Sequence, residues 1–436
     1  MASTYLQRAA SGSVTSDKIF TISTWLKKSA NGVQQRWFNH ENESSHTQKL
    51  DLHFLSTDLF RMGWWDGSSE YNLDTKRKFL DTNAWYHFVF RLDTTQSTAS
   101  DRVRLYVNGE LQELTAIGGG SPTYPTLNKT MNLGQKKLVY GRYQAASPNH
   151  YWNGLMTHAH YCDGQSYAPT EFGETDATTG EWSIKTNVNV TYGNNGHFIL
   201  KDGNSVTDQS GNSNNFTVGA GTLTKTEDSP SNSFCTMQSP GATPTITFTN
   251  ANTGLNYSSS VESGKGTLAF SSGKFYWEAK LTVDTNYPML GIGSYEDYRM
   301  QSPLATGYPG QHTNSYGAYG NGNVYANGSN TGSQSFTWST NDIIGIAVDL
   351  DSGTKTIKWF KNGSQIATYN ITASSTFSPY DYNGGEAGAG ILYNFGNGYF
   401  GTTAVSSAGT NASNNGIFEY DVPSGYTALS TKGLNL

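Results

Sequence analysis

A chain of 436 residues exceeds what one hydrophobic core usually serves, so two domains of about 200 residues each are the natural division. Charged residues make up only 14% of it and the formal net charge of −6 is spread with no basic run, which leaves no electrostatic footprint for nucleic acid. No apolar stretch approaches the ~20 residues of a membrane helix, Met1 to Ser13 lack the apolar core of a signal peptide, and an aromatic content of 13% excludes a disordered chain.

Short runs rich in Val, Ile, Tyr, Phe, Trp and Thr recur between Gly, Asn, Asp and Ser clusters, with almost no helical periodicity, which predicts all-β sandwiches or barrels. In the first half, adjacent Trp64 and Trp65 must face opposite sides of a strand, so one is expected in the core and the other, beside Asp66, is placed to stack on a sugar. Next, Trp85 to Asp93 precedes a polar turn and the hairpin Arg102 to Leu114, whose Asn108-Gly109 suits a two-residue turn with positive φ at both positions. Val103, Leu105 and Val107 alternate with Arg102, Arg104 and Tyr106, as a sheet with one buried face requires. His158 and His160 on one strand face are compatible with shared metal ligation, although no third ligand is identifiable; a polar strand face is the simpler reading. Cys162 and Cys235 have no metal spacing and are expected as free thiols.

A Ser/Pro-rich stretch, Asp228 to Pro244, interrupts the pattern, giving predicted domains 1–238 and 239–436. Beyond it, Tyr308 to Tyr325 has the Tyr, Gly and Asn composition of adaptable binding loops, and Tyr316, Tyr319 and Tyr325 are expected at a ligand or between subunits. The strand–turn–strand–Asn-Gly–strand pattern then repeats from Asp342, with Asn362-Gly363 in the turn. Gly396, Gly398 and Gly401 spell G-x-G-x-x-G but open no helix, so they read as structural.

Phe20 to Ser29, Trp85 to Asp93, the Arg102 hairpin and Tyr151 to Glu174 resemble the laminin G-like branch of the concanavalin A-like jelly rolls. Gly273 to Leu281, Leu290 to Gly293, Asp342 to Gly363, Asn394 to Phe400 and Tyr420 to Leu429 resemble a SPRY domain. Both resemblances imply curved antiparallel β-sandwiches of jelly-roll type. The tandem, with its joining stretch Asp208 to Met237, is similar to virion structural proteins of tailed phages. That similarity implies a particle-surface protein, in the tail fibre or decorating the head, with other virion proteins and a host-surface glycan or protein as partners and several copies per particle. A cellular SPRY adaptor or an extracellular lectin-like protein is the alternative. Some laminin G-like domains bind calcium through loop carboxylates, a role Asp93 and Asp101 are positioned to fill; otherwise no cofactor is implied. The E-x-D-x-x-E strand of the related glucanases is missing, as are a nucleophile elbow, a zinc helix and a P-loop, so no enzymatic activity is expected.

Overall fold

The computed structural model describes residues 3–9, 13–41, 50–65, 69–131, 136–143, 149–201, 205–239, 246–259, 262–284, 287–294, 307–385 and 387–435. The chain forms two compact units, Met1–Lys225 with Ser229–Ser231, and Thr226–Asp228 with Asn232–Leu436. The second unit begins ahead of residue 239 because Phe234, Cys235 and Met237 are already in its core and Met237–Gln238 pairs with Lys265–Gly266.

The first unit packs two antiparallel sheets face to face. One runs, in spatial order, Leu114–Thr115, Glu70–Lys78, Leu59–Trp65, Leu50–Phe54, Gln35–Glu41, Lys137–Tyr140, Tyr5–Arg8 and Thr217–Ala220. The other runs His197–Ile199, Gly154–Asp163, Ile19–Lys28, Tyr86–Asp93, Val103–Val107 and Glu110–Leu111. Period-two alternation sends Phe20, Ile22, Phe88, Phe90, Val103, Leu105 and Val107 inward to meet Phe38, Leu52, Phe60, Met62 and Trp64 from the facing sheet. Half of these inward side chains are aromatic, so ring packing carries much of the burial energy, at about 1.5–3 kcal/mol for a side chain of Phe size.

The second unit repeats the plan. Its first sheet runs Met237–Gln238, Lys265–Gly266, Phe377–Tyr382, Met289–Ser294, Ser315–Tyr319, Asn323–Ala326 and Ser329–Ser333. The facing sheet runs Thr247–Thr249, Gly254–Asn256, Gly390–Asn394, Lys274–Val283, Ile343–Asp349, Thr356–Lys361 and Ser364–Asn370, with Thr427–Ala428 parallel to Lys274–Val283. Leu290, Ile292, Tyr316, Ala318 and Val324 from the first sheet close on Trp277, Ile346, Trp359 and Ile391 from the second.

The two Asn-Gly turns have the same construction. Asn108 and Gly109 sit at φ of 51° and 81°, Asn362 and Gly363 at 48° and 84°. Each Asn side chain accepts the backbone N–H that opens the meander, His87 at 2.8 Å in one case and Ile343 at 2.9 Å in the other. The turn residue therefore fixes both the hairpin and the register of the strand beside it.

Candidate functional site

Trp64 is fully buried in the first core, its ring stacked on Tyr71 at 5.3 Å and 9°, so it is a packing residue. Trp65 faces the other way, half-buried, opposite Glu70. Asp66 lies outside the described residues. The outer face that Trp65 shares carries a polar layer. Register places Asp74, Arg61, His53 and Arg36 in one row across four strands. Arg61 grips Asp74 at 2.6 and 2.8 Å, Arg36 reaches both oxygens of Asp51 at 3.1 and 2.9 Å, and the Tyr143 ring lies 3.9 Å from the Arg36 guanidinium. Glu41 and Arg142, both almost wholly buried, form a two-pronged pair at 2.8 and 3.1 Å. Alternation marks these positions as outward and polar; that they are paired, and all but Arg61 buried, could not be read from it.

On the outer face of the other sheet, His87 is stacked between Trp25 at 4.8 Å and Trp182 at 6.0 Å. Its Nε2 is 2.7 Å from the Ser23 hydroxyl, a distance suited to a nucleophile and its base. The wiring is wrong for that role. Trp182 Nε1 is a donor only, and it donates to His87 Nδ1 at 2.9 Å, so the ring proton sits on Nε2 and points at Ser23. Burial also pushes His87 down to about 3, keeping it neutral. His158 and His160 do not share a ligand site. A bulge falls between Thr157 and His160, and His158 has φ of 50°. His160 Nδ1 contacts the Tyr192 hydroxyl at 2.8 Å, while His158 Nδ1 contacts Thr157 Oγ1 at 2.9 Å.

Among the described residues no group of three His, Cys, Asp or Glu side chains is arranged to hold a metal. Asp93 already accepts from Thr95 and Gln96, and Asp101 from Arg104. Neither Cys162 nor Cys235 forms a disulfide, and the two are buried in separate cores. Gly396 packs against the Phe234 ring inside a turn held by Asn394, which accepts the N–H of Gly396 and of Gly398, and no helix follows.

In the second unit, Tyr316 is fully buried and its hydroxyl accepts the N–H of Thr372 and Ala373 at 3.3 Å, which corrects its expected placement at a ligand or between subunits. Tyr319 and Tyr325 point the other way, out of the sheet, and are half-exposed. Register brings three more tyrosines to them. Tyr382 and Tyr319 flank Met289 on neighbouring strands, and Tyr287 meets Tyr319 edge-on at 6.3 Å. Tyr308 arrives on a loop and sits 5.6 Å from Tyr325 and 5.8 Å from Tyr382. Tyr319 and Tyr325 close the series at 6.4 Å. Two glycines allow the loop to lie on the sheet: a Cβ on Gly317 would meet Pro309 at 2.4 Å, and one on Gly310, which has φ of 91°, would meet the Tyr325 carbonyl at 2.3 Å. Partial burial raises the Tyr308 and Tyr382 phenols above the ordinary tyrosine value.

Two buried carboxylates missed from the sequence brace this unit. Glu278 accepts from Tyr276, Asn394 and the N–H groups of Glu419 and Tyr420, tying the C-terminal segment to the sheet. Asp381 accepts from Tyr257 and Tyr393, both at 2.5 Å, and from Gly264 N–H at 2.6 Å. Burial outweighs these donors and lifts Glu278 to about 7 and Asp381 to about 6.

Each unit is thus a β-sandwich whose polar buried groups are wired for structure, with aromatic surface left over. The profile of the concanavalin A-like lectin/glucanases superfamily matches residues 2–163, and that of the SPRY domain matches residues 274–397. Residues 2–163 thus match a laminin G-like, concanavalin A-like domain and residues 274–397 a SPRY domain, two kinds of domain that imply protein or carbohydrate binding. No curated protein matches it. Similar solved structures include the TRIM65 PSpry domain, at 14% identity over 37% of this chain and 88% of that one with a TM-score of 0.31. The SPRY domain of human HERC1 is 17% identical over 34% of this chain and 92% of that one, with a TM-score of 0.29. The native heptameric SAP-like pentraxin from Limulus polyphemus is 14% identical over 50% of this chain and 90% of that one, with a TM-score of 0.31.

Proposed function

We propose that this chain is a non-enzymatic surface protein of a tailed-phage particle, present in several copies, that binds a host-surface or neighbouring component through the outer face of its SPRY domain. The observation that carries the reading is the group of five partly exposed tyrosines on that face, an aromatic surface prepared for contact. A few stacking rings give weak binding per copy, about 1–3 kcal/mol each by analogy with bases on aromatics, so useful attachment calls for multivalency, which raises avidity by about 10² to 10⁴. Display on a symmetric particle supplies the copies. The resemblance of the tandem to phage structural proteins supports the location, and a cellular SPRY adaptor is the competing reading, to which the same SPRY match applies.

Purified particles probed with an antibody to this chain, with copies counted by quantitative mass spectrometry, test the proposal. Surface labelling and several copies per particle are expected; absence from particles, or a single copy, overturns it. Incubation with bacterial polysaccharides is expected to release no reducing ends, and release abolished by changing one Asp or Glu would overturn the non-enzymatic part.

A further inference from the structure

The five-tyrosine face has a second property besides its rings: among the described residues its strands carry almost no charge, and the carboxylate at its end, Asp284, is engaged by the Tyr287 N–H at 2.8 Å. From Gly307 to Asn341 the sequence contains no Lys, Arg, Asp or Glu. The five strands Phe377–Tyr382, Met289–Ser294, Ser315–Tyr319, Asn323–Ala326 and Ser329–Ser333 carry one formal charge among them, Asp381, which points inward to Tyr257 and Tyr393. Lys265, beyond Tyr380 on the next strand, marks the border of this area. Around the rings the surface offers amides and hydroxyls. Asn330 stands opposite Tyr325, and Ser333 opposite Asn323.

The geometry of the rings adds direction. Tyr287 meets Tyr319 at 88°, Tyr319 meets Tyr325 at 66° and Tyr325 meets Tyr308 at 79°, so a chain crossing the patch meets ring faces and ring edges in turn. A face suits the C–H side of a ligand ring, and an edge presents a phenol hydroxyl for hydrogen bonding. Successive rings lie 5.6 to 6.4 Å apart, a step comparable to the length of one sugar ring.

We propose that this outer face is a binding site for an uncharged polyhydroxylated chain, a neutral polysaccharide laid across Tyr287, Tyr319, Tyr325, Tyr308 and Tyr382. The proposal rests on the surface-binding reading above and names its ligand. An anionic glycan finds no cationic partner among the described residues of the patch and meets the Asp284 carboxylate at the Tyr287 end, and leaving its charges unpaired at a contact is unfavourable. A proline-rich peptide also docks on aromatic grooves, but it has few groups for the surrounding amides and hydroxyls to meet, whereas each sugar hydroxyl both donates and accepts.

The test uses the full chain in affinity electrophoresis through gels containing dextran, mannan or laminarin, with alginate as the anionic control and a polyproline peptide in a parallel fluorescence titration. Retardation by at least one neutral polysaccharide is expected, with little change between low and high salt because no ion pair is involved. Tyr325→Ala and Tyr319→Ala should each weaken it about tenfold, the scale of one stacked ring. Tyr287→Ala, at a site 40% exposed, should weaken it with an unchanged melting temperature, so the result does not depend on how the other two variants fold. Retardation by none of the neutral polysaccharides, retention equal in all three variants, or binding to alginate or polyproline alone overturns the ligand assignment. If particles carry the chain and its antibody blocks attachment while no neutral polysaccharide binds, the ligand class is wrong and the surface-binding reading stands. Polysaccharide binding by a chain missing from particles has the reverse meaning.

Discussion

The outer faces of two sheets, one from each domain, show what a common sandwich does with its second surface. In the first domain the face built on Ile19–Lys28 and Tyr86–Asp93 is roofed by the chain itself. Phe172, Tyr167, Val188, Val190 and Tyr192 gather over Val89 and Cys162 as a satellite core, and Trp182 covers His87. In the second domain, among the described residues, the short loop around Tyr308 to Gly310 lies on the outer face of Phe377–Tyr382 and its neighbours, and the tyrosines stay half-open. A roofed face contributes to stability, and an open one is free to meet something else.

Breaking the roof gives the largest expected effect. Trp182→Ala removes a half-buried ring packed on Gly109 and Gly173 and leaves His87 Nδ1 without its donor, which should cost the first domain about 2–3 kcal/mol. Tyr325→Ala on the open face should cost the second domain less than about 1 kcal/mol. Calorimetry of both full-length variants measures the contrast; equal losses would mean that the two faces are not differently used.

The domains should also part in acid. Burial depresses His87, to about 3, as well as His160 and His197 in the first domain, so the unfolded chain takes up protons below its ordinary histidine value of 6.5 while the folded domain does not. Their contribution to stability is present above 6.5 and is lost as pH falls toward the folded values. Glu278 and Asp381 in the second domain have raised values, about 7 and about 6, against ordinary ones of 4.5 and 3.8. Here the folded state holds the extra proton, so their contribution is complete below the ordinary values and is lost as pH rises through 6 to 7. Between pH 6.5 and 4.5 the first domain should weaken while these carboxylates strengthen the second, by at most about 1.4 kcal/mol per pH unit for each group. Hydrogen exchange on the whole chain, read separately on peptides of the two domains, checks the opposite slopes; parallel slopes would contradict them.

Much of this was legible in the chain. The two meanders, the Asn-Gly turns and the inward set Val103, Leu105 and Val107 follow from a period of two and from turn chemistry, which act over a few residues. The tyrosines show where that reach ends. Tyr316 and Tyr319 are an odd number of residues apart and cannot share a strand face, a signal present in the sequence that the loop-like composition of the segment masked. Tyr382, Tyr308 and Tyr287 join Tyr319 and Tyr325 only through register and a loop folded back over Gly317, which pattern does not specify. Of the roof residues, Val188, Val190 and Tyr192 alternate with Asn189 and Thr191, but so short a run does not say which sheet it covers and Trp182 stands outside it, and the ion pairs of Arg36, Arg61 and Arg142 depend on neighbours supplied by other strands.

Where the local construction is shared, the comparison predicts near-equality, and so the smallest difference between the domains. Asn108 and Asn362 hold φ of 51° and 48°, a region where Ala is strained by about 1–2 kcal/mol and Asn much less. Each also accepts a backbone N–H that a truncated side chain leaves to water at the sheet end. Asn108→Ala and Asn362→Ala should therefore each cost about 1–2 kcal/mol, with the loss confined to the domain that carries the change. Asn108→Asp keeps the accepting oxygen and tolerates the left-handed backbone, so most of the stability should return there, whereas Asn362→Asp sets a second carboxylate against Asp342, to which the Asn362 amide donates at 2.8 Å, and should recover less. Urea unfolding of the four variants, followed by domain-resolved exchange, supplies the measurement. A loss at Asn108 several times that at Asn362 would show that the roof over His87, whose N–H the Asn108 side chain holds, couples the first turn to packing that the second turn lacks.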